Sequence, residues 1–388
     1  MRGLDIAIAG CGPCGLAAAL LLHRAGHHVT LFERFDTPRP IGSGLMLQPT
    51  GMAVLSKLGL LDVTLARGAR VDRLFGRAGK RVVLDVQYAA LRRKGMFGIG
   101  IHRASLFAIL YEAVLHSGIP LHTGHTLGGS ALTGTKRTLH FAGGETSGPY
   151  DLVVDALGTR TPLAPPAGRE LAYGALWASL DWPQDAGFDP HALAQRYERA
   201  SIMAGVLPIG TPPGATMPKA AFFWSLRADR LDDWREAGLV KWKAQVGTLW
   251  PDCAPLLDQI HDPDQLTFAR YAHRTLAAPA EPALVHIGDA WHSASPQLGQ
   301  GEGARHGIRL RRRHVLTYQW LTALFTPVYQ SDSRVLPLIR DRVVGPLSKL
   351  WPATTIQAAM VSGLVGNPLP RLGLEGGLGL EAPMAKAE

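Results

Sequence analysis

The chain has 388 residues, of which 46% are hydrophobic and 18% charged, and it carries a formal net charge of +9 from 40 Lys and Arg against 31 Asp and Glu. This composition excludes general disorder, and the length predicts two or three cores at roughly 100 to 200 residues per domain. No apolar run reaches the roughly 18 to 20 residues that a spanning helix requires, so we expect no integral membrane association.

The N-terminal region predicts a strand, a tight turn, a helix and a second strand. Residues 4–9 are an apolar run that ends at Gly10, residues 16–22 are rich in Ala and Leu, and residues 28–33 alternate and end at a charge. This order is a β-α-β unit, whose crossover implies a parallel sheet.

Further elements follow in chain order. Thr50 is expected to cap a helix that runs to Leu58 and stops at Gly59, and residues 104–116 predict another helix that stops at Gly118. Residues 119–122 and 151–154 are predicted short strands.

The middle of the chain is rich in strand-like pieces with aromatic residues. They occupy residues 171–182, 201–207 and 220–226, with a Pro-Gly turn at 212–214, and residues 71–86 are a candidate for the same region. Residues 283–287 return to a short buried strand, which indicates that the first domain resumes there.

The hexamer from Gly10 to Gly15 fits the G-x-G-x-x-G pattern of dinucleotide-binding turns. It follows a predicted strand, opens a helix, and precedes Glu33 at the end of the next strand. Gly10 permits the tight turn, Gly12 lets a pyrophosphate approach the backbone, and Gly15 permits close helix packing. The carboxylate of Glu33 can accept hydrogen bonds from an adenosine ribose.

Cysteines suggest little chemistry of their own. Cys11 and Cys14 have the C-x-x-C spacing of a redox motif, but they occupy the variable positions of the glycine-rich turn, so we interpret them as filler. Together with Cys253 they cannot form a secreted disulfide framework, which favours a reducing cytoplasm. No ligands stand at metal spacing, so no metal site is expected.

The only dense basic run comprises Arg309, residues 311–313 and His314. The basic balance suits nucleic acid, acidic lipid headgroups or a negatively charged ligand. No aromatic residues interleave with the run as in a single-strand binder, so a solvated helix start is the favoured interpretation and no nucleic-acid partner is expected.

A second motif lies at residues 288–301, with the sequence GDAWHSASPQLGQG. Its Gly288-Asp289 pair follows a predicted strand and so places a carboxylate at the carboxyl edge of the sheet, and Gly299 and Gly301 allow backbone N–H groups to approach a ligand. A flavin uses such an element, because its ribityl chain carries hydroxyls and its ring presents an edge that favours donors.

Together the two motifs resemble those of the group A flavoprotein monooxygenases, the para-hydroxybenzoate hydroxylase family. His102-Arg103 with Leu106 also resembles the family's Arg-x-x-Leu, and the similarity covers roughly residues 4–350. The resemblance implies an α/β fold: a Rossmann-like FAD-binding domain with an inserted antiparallel β-sheet substrate domain and a C-terminal helical region. We place these parts at 1–70, 96–170 and 280–315 for FAD binding, 71–95 and 171–279 for the substrate, 316–366 for the helical segment, and 367–388 for a loosely ordered tail.

The function implied by the resemblance is hydroxylation of an aromatic or conjugated, fairly apolar small molecule with NADH or NADPH and O2, through a flavin C4a-hydroperoxide. The alternatives are a flavin-dependent reductase or dehydrogenase on the same fold, and a degenerate FAD-binding protein. The expected cofactor-binding residues are Gly10, Gly12, Gly15, Glu33, Arg34, Arg103, Asp289, Pro296, Gly299 and Gly301. Pro296 would act in catalysis only through backbone positioning at the flavin.

Two positions depart from the family pattern. Leu157 replaces the Asp of the family's G-A-D-G core, and Asp155 stands where that core has its first Gly. After Gly301 the chain is also shorter than the family before the segment at 311–314, which predicts a shortened or lost helix there.

Overall fold

The computed structural model describes residues 3–38, 42–93, 95–293, 308–366 and 368–371. Within these residues the chain forms twenty strands: β1 (Asp5–Ala9), β2 (His28–Phe32), β3 (Gly44–Leu47), β4 (Ala69–Val71), β5 (Arg73–Ala78), β6 (Arg81–Gln87), β7 (Gly98–His102), β8 (Leu121–His122), β9 (Leu127–Thr133), β10 (Lys136–Phe141), β11 (Thr146–Tyr150), β12 (Leu152–Asp155), β13 (Arg169–Asp181), β14 (Ala192–Glu198), β15 (Ile202–Pro208), β16 (Lys219–Arg227), β17 (Thr267–Thr275), β18 (Ala280–Glu281), β19 (Leu284–His286) and β20 (His292–Ser293).

The same residues form eleven α-helices: α1 (Pro13–Arg24), α2 (Pro49–Lys57), α3 (Leu61–Arg67), α4 (Arg103–His116), α5 (Leu231–Leu249), α6 (Ala254–Leu257), α7 (Ile308–Tyr329), α8 (Leu336–Ile339), α9 (Gly345–Leu347), α10 (Ala353–Val361) and α11 (Pro368–Arg371). A π-helical stretch, Arg340–Val344, joins α8 to α9. None of the helices described is long and apolar enough to cross a membrane.

A six-stranded sheet of order β18-β19-β12-β1-β2-β8 carries the glycine-rich turn. Its strands run parallel except for the edge strand β18, as the predicted β-α-β unit requires. The apolar side chains of α1 and α4 pack on it in one core cluster. The turn after β1 therefore opens at the carboxyl edge of the sheet, beside the ends of β12 and β19.

An eight-stranded sheet of order β20-β17-β13-β16-β15-β14-β5-β6 forms the second layer. Its pairs are antiparallel except for β14 and β5, which run parallel, so the strands near residue 80 join the strands beyond residue 169. One face packs under α5 around Phe222, Trp224 and Trp242. The fold class inferred from the sequence is therefore confirmed, with an antiparallel-rich sheet set against the parallel one.

Two small sheets complete the β-structure, with orders β3-β7-β4 and β11-β10-β9. The first connects the two large sheets, because His102 N, at the end of β7, donates to Ile209 O at 3.0 Å. A Cβ on Gly44 would lie 2.8 Å from the Cβ of Ala221 on β16. This close packing holds the start of α4 against the eight-stranded sheet.

One prediction of a helix start differs from the structure. Helix α2 begins at Pro49 with Gln48 as its N-cap residue and no side-chain cap, so the predicted capping by Thr50 is wrong. Proline at the first helical position already has the helical φ and lacks the N–H that a cap would satisfy. The domain boundaries placed on the sequence stay predictions; near two of them the structure has α7 at Ile308–Tyr329 and α11 at Pro368–Arg371.

Candidate flavin site

The three glycines of the turn have different surroundings. Gly10 has a φ of +102°, and a Cβ there would lie 2.7 Å from the carbonyl oxygen of Ala156. A Cβ on Gly15 would collide with the carbonyl oxygen of Gly10. A Cβ on Gly12, by contrast, would have no atom within 4 Å, so open space lies in front of this residue.

Helix α1 directs its N-terminus toward that space. Gly12 is its N-cap residue, no side chain caps the helix, and its first turn contains no acidic residue. The first N–H groups of a helix and the positive end of its dipole favour an anion. The turn is thus suited to a pyrophosphate, as the spacing of the glycines predicts.

Glu33 closes one side of the turn. Its Oε2 accepts a hydrogen bond from the N–H of Cys11 at 2.9 Å, and its Oε1 accepts one from the N–H of Phe35 at 3.2 Å. The carboxylate therefore lies at the glycine-rich turn, as a ribose-binding acid would. Arg34, next in the chain, is exposed and its guanidinium lies 4.6 Å from the ring centroid of Phe35.

The two sequence motifs meet at Gly288. This residue has a φ of +54°, and a Cβ on it would lie 2.7 Å from the Sγ of Cys14 in the first turn of α1. Glycine is required here both for the backbone conformation and for the close approach. The contact brings Asp289 beside the N-terminus of α1.

Asp289 is accessible to solvent yet enclosed by protein, which is the position of a group that lines a cleft. Its side chain is exposed by surface area, while the surrounding protein atoms raise the pKa of its carboxyl and the nearby charge of Arg103 opposes that rise. The surface exposure shows that the carboxylate remains available to a ligand. The pKa shift reflects the low-dielectric walls around it.

Arg103 is the first residue of α4, and its charge acts on the carboxyl of Asp289. A Cβ on Gly42 would lie 2.9 Å from the Cδ of Arg103, so the glycine makes room for the arginine side chain. The preceding residue, His102, accepts a hydrogen bond at Nδ1 from the N–H of Ala104 and so caps the helix. The motif predicted from the sequence is thus placed at a helix start that faces Asp289.

Tyr271, on β17, joins the cleft from the eight-stranded sheet. Burial raises the pKa of its phenol, whereas the hydrogen bond from Trp177 and the charge of Arg103 lower it. Trp177 Nε1 donates to the Tyr271 hydroxyl at 3.0 Å, and the Trp177 ring lies 4.7 Å from that of Phe223. Arg103 therefore lies near a carboxylate of one layer and a phenol of the other.

Sequence reasoning missed Tyr271. The sequence pattern did not separate the aromatic residues of the strand-rich region that fill the core from those that could line a pocket. Phe222 and Trp224 belong to the core under α5, whereas Trp177 contacts Tyr271. Neighbouring residues on a strand face opposite sides, so the alternation along β13 and β16 could have indicated which aromatic residues face the core and which face away from it.

Pro296, Gly299 and Gly301 lie outside the described residues, which stop at Ser293 and resume at Ile308. Their expected place beside the flavin ring therefore stays a prediction. The same holds for the helix expected to be shortened after Gly301, since the next described residue already belongs to α7.

The cysteines of the turn are interior residues. Cys11 is 2% exposed, and burial together with the charge of Glu33 raises its pKa to about 12. A thiol with this pKa stays protonated near neutral pH and is a poor nucleophile. Cys14 fills the space beneath Gly288. These positions agree with the interpretation of both residues as filler.

Asp155 and Leu157, the two departures from the family pattern, have inward roles. Asp155 is fully buried and accepts hydrogen bonds from the N–H of Leu157 at 3.0 Å and from Thr161 Oγ1 at 2.7 Å. His286 Nδ1 lies 2.7 Å from Asp155 Oδ2, the same oxygen that accepts from Thr161. The Leu157 side chain packs against the cluster of Phe32 and Phe141. Asp155 therefore fixes the loop after β12 and does not face the cleft.

The residues around the glycine-rich turn fit an FAD molecule. Open space lies in front of Gly12 and an uncapped helix start, the carboxylate of Glu33 lies at the same turn, and the charge of Arg103 acts on the carboxyl of Asp289. Each part of a dinucleotide with a ribityl chain has a group of the required type.

Comparison with known proteins agrees with this geometry. Residues 3–154 match the family model described as FAD binding domain. The chain is 24% identical over 317 residues to 6-hydroxynicotinate 3-monooxygenase of Pseudomonas fluorescens, covering 76% of this chain and 78% of that protein. It is 34% identical over 122 residues to 3-hydroxybenzoate 6-hydroxylase 1 of Aquipseudomonas alcaligenes, covering 30% of each chain.

The fold is also that of a solved flavoprotein. Klebsiella pneumoniae HpxO, crystallised with FAD and uric acid, superposes with a TM-score of 0.76 at 17% identity, covering 95% of this chain and 99% of that one. The family match, the two relatives and the shared fold agree that the chain contains an FAD-binding domain and is similar to the FAD-dependent aromatic monooxygenases.

Proposed function

We propose that this protein uses FAD, NADH or NADPH, and O2 to hydroxylate an aromatic small molecule. The observation that carries the proposal is the open space in front of Gly12 at the uncapped start of α1, with Glu33 hydrogen-bonded to the same turn and Gly288 packed against it. FAD, when bound, accepts hydride from the nicotinamide and activates O2. The protein contributes binding, orientation and exclusion of water.

Each part of the cofactor has a proposed partner. The turn from Gly10 to Gly15 binds the pyrophosphate at the start of α1, and Glu33 accepts from the adenosine ribose. Arg34 serves the adenine half, while Arg103 approaches the phosphates and ribityl chain. Asp289 accepts a hydrogen bond from a ribityl hydroxyl. Pro296, Gly299 and Gly301 remain the proposed backbone contacts of the flavin ring.

Tyr271 and Trp177 are the proposed contacts of the substrate. Trp177 Nε1 donates to the phenol oxygen of Tyr271, which leaves the phenol proton to be donated to an oxygen of the substrate. Because burial raises the pKa of this phenol, it remains a neutral donor at physiological pH. A donor beside an indole face suits a hydroxylated aromatic ring.

The names of the relatives support this substrate class. One acts on 6-hydroxynicotinate and the other on 3-hydroxybenzoate, and both compounds are hydroxylated aromatic rings. We propose a ring of the same kind, benzenoid or nitrogen-containing, for this chain. The nicotinamide donor would bind transiently, since FAD takes the one dinucleotide turn recognised in the sequence. The proposed compartment is the cytoplasm.

Substrate-stimulated oxidation of NADH or NADPH with matching O2 uptake is the test. FAD-loaded protein is assayed with 3-hydroxybenzoate, 6-hydroxynicotinate and related rings, and the product is examined for an added oxygen atom. Tyr271→Phe should keep bound FAD but lose most of the stimulation, whereas Tyr111→Phe, a matched change on α4, should lose none. Anaerobic oxidation of NADH coupled to reduction of the ring would instead establish a reductase.

A further inference from the structure

Helix α7 has apolar side chains on both of its sides, since Val315, Leu321 and Phe325 pack inward while a second apolar set faces water. Its buried face contains Tyr318, Thr322 and Thr326, which are 6%, 1% and 8% exposed. Its water-facing side contains Leu316, Trp320 and Leu324, which are 40%, 77% and 68% exposed. The exposed residues repeat every four positions and so form one stripe along the helix.

The stripe contains no charge to keep it in water. From residue 315 to residue 331 the sequence has no Asp, Glu, Lys, Arg or His. Surface helices ordinarily place their polar residues outward and their apolar residues inward. An outward apolar stripe with a large exposed indole therefore indicates a surface that meets an apolar medium or partner.

Basic residues directly precede the stripe in the sequence. The first turns of α7 include Arg309, Arg311, Arg312, Arg313 and His314 of the basic run.

Residues 334–351, which follow α7, also combine exposed apolar side chains with exposed cations. Val343, Leu347 and Trp351 are 49%, 56% and 73% exposed. Three cations are exposed in the same part of the chain: Arg334, Arg342 and Lys349. The acids of this part are held by arginines, Asp332 by Arg227 and Asp341 by Arg340. The charge that this region presents to solvent is therefore cationic.

This charge decides between the possible partners. Two copies of the chain would each bring a net charge of +9 and the same exposed cations, Arg334, Arg342 and Lys349, to a shared interface, and like charges would oppose association. A partner with an apolar interior and an anionic surface satisfies both features. A bilayer that contains anionic phospholipids has this chemistry, and tryptophan side chains favour its interface.

We propose that α7 lies on the surface of an anionic membrane, with its apolar stripe in the headgroup region and its basic first turns on the lipid phosphates. None of the described helices could span a bilayer, so the contact is interfacial. On its other side, Gln319 Nε2 donates to the carbonyl oxygens of Ser293 at 3.0 Å and Arg274 at 3.3 Å. The membrane contact would thus lie next to the segment that follows Asp289.

Vesicle sedimentation tests the proposal with FAD-loaded, full-length protein. The protein should sediment with vesicles of phosphatidylcholine mixed with phosphatidylglycerol at low salt, and much less with phosphatidylcholine alone or at high salt. Replacing the stripe by glutamine, as L316Q, W320Q and L324Q together, should lower the partition coefficient at least roughly tenfold. The matched control replaces exposed apolar residues elsewhere: V240Q, L132Q and M217Q.

The basic run has its own variant. R311Q, R312Q and R313Q together should lower binding roughly fivefold per arginine, since each charge contributes on the order of 1 kcal/mol at an anionic surface. The control removes three exposed cations elsewhere: K80Q, R81Q and K241Q. Retained FAD and unchanged NADH oxidation without vesicles would show that each variant is folded.

Three results would overturn the proposal. The first is wild-type protein that stays in the supernatant with anionic vesicles at low salt. The second is an equal loss of binding in the stripe variant and its control. The third is a dimer, measured by light scattering, that the stripe variant dissociates while vesicle binding is absent, which would assign the stripe to a second copy of the chain.

Discussion

Asp289 combines solvent access with protein enclosure, and this combination gives it a role that no other described carboxylate of the cleft shares. Asp289 directly follows Gly288, which lies close to the Sγ of Cys14 in the first turn of α1. A hydrogen bond to a charged group contributes on the order of 1.5 to 3 kcal/mol. We therefore expect Asp289→Ala to weaken FAD binding about ten- to a hundredfold, measured by fluorescence titration of the apoprotein.

The control for Asp289 is Asp258→Ala, which removes an exposed carboxylate at the end of a short helix and should leave FAD affinity unchanged. A double variant, Cys11→Ala with Cys14→Ala, should also keep nearly full affinity. Loss of affinity in the cysteine variant with retention in Asp289→Ala would reverse these roles and restore a thiol function.

Thiol reactivity gives a second prediction at the residue scale. Burial and the Glu33 charge raise the pKa of Cys11 to about 12, and burial also raises the pKa of Cys253. A raised pKa means that the reactive thiolate is scarce below it, about one part in ten thousand at pH 8 for Cys11. Ellman's reagent at pH 8 should therefore leave both residues unmodified in folded protein and react with both in urea. Rapid modification of Cys11 in the native state would contradict the assignment.

The residues of the glycine-rich turn could be predicted from the sequence because their geometry is local. Gly10, Gly12, Gly15 and Glu33 belong to one β-α-β unit, whose spacing places them together whatever the rest of the chain does. Tyr271 and Trp177 could not be paired in this way. They are separated by 94 residues, and their contact depends on the register of β13 against β17.

At the scale of elements, the start of α1 contains a position where a substitution should change cofactor affinity without changing the stability of the apoprotein. A Cβ on Gly12 meets open space and its φ of −65° suits any residue, so Gly12→Ala should leave the unfolding free energy of the apoprotein within about 0.5 kcal/mol of wild type. The same methyl would project into the space assigned to the pyrophosphate, so FAD affinity should fall at least tenfold. Thermal unfolding of the apoprotein and FAD titration measure the two effects.

Gly15→Ala is the matched comparison on the same helix. Its methyl would collide with the Gly10 carbonyl oxygen, so the apoprotein itself should be destabilised by roughly 1 to 3 kcal/mol. Equal stability of the two apo variants would show that the turn is not packed as described.

Element boundaries were harder to predict than element types. The Thr50 cap was wrong because Pro49 starts α2 earlier, and α5 was not predicted, although its Trp242 packs under the sheet predicted from its strands. Helix α5 contains a residue with non-helical dihedrals, Gly238 at φ +76°, which divides its apolar pattern. A short pattern on each side of a glycine gives a weak helical signal.

At the scale of the whole molecule, the Asp155–His286 contact joins parts of the chain that are 131 residues apart. After β12 the chain leaves the six-stranded sheet, and it returns to that sheet at β18 and β19; this buried contact joins the two strands, β12 and β19, that pair at the junction. Asp155→Leu would leave the buried imidazole without its acceptor, so we expect a loss of about 3 to 5 kcal/mol in the free energy of unfolding. Urea denaturation measures it, with exposed Asp185→Leu as the control. A loss below 1 kcal/mol would show that the contact does not stabilise the junction.

The two-layer arrangement itself was predictable from motifs that flank the strand-rich middle. The order of the strands could not be predicted from the sequence, because pairing partners such as β14 and β5 are set by packing among distant segments.

The parallel pair also determines when the eight-stranded sheet can form on the ribosome. The hairpin of β5 and β6 leaves the exit tunnel more than a hundred residues before β14, which at 5 to 20 residues per second is a delay on the order of 5 to 25 s. An isolated two-stranded hairpin is marginally stable in water, so during synthesis its apolar edge remains available to chaperones until β14 arrives.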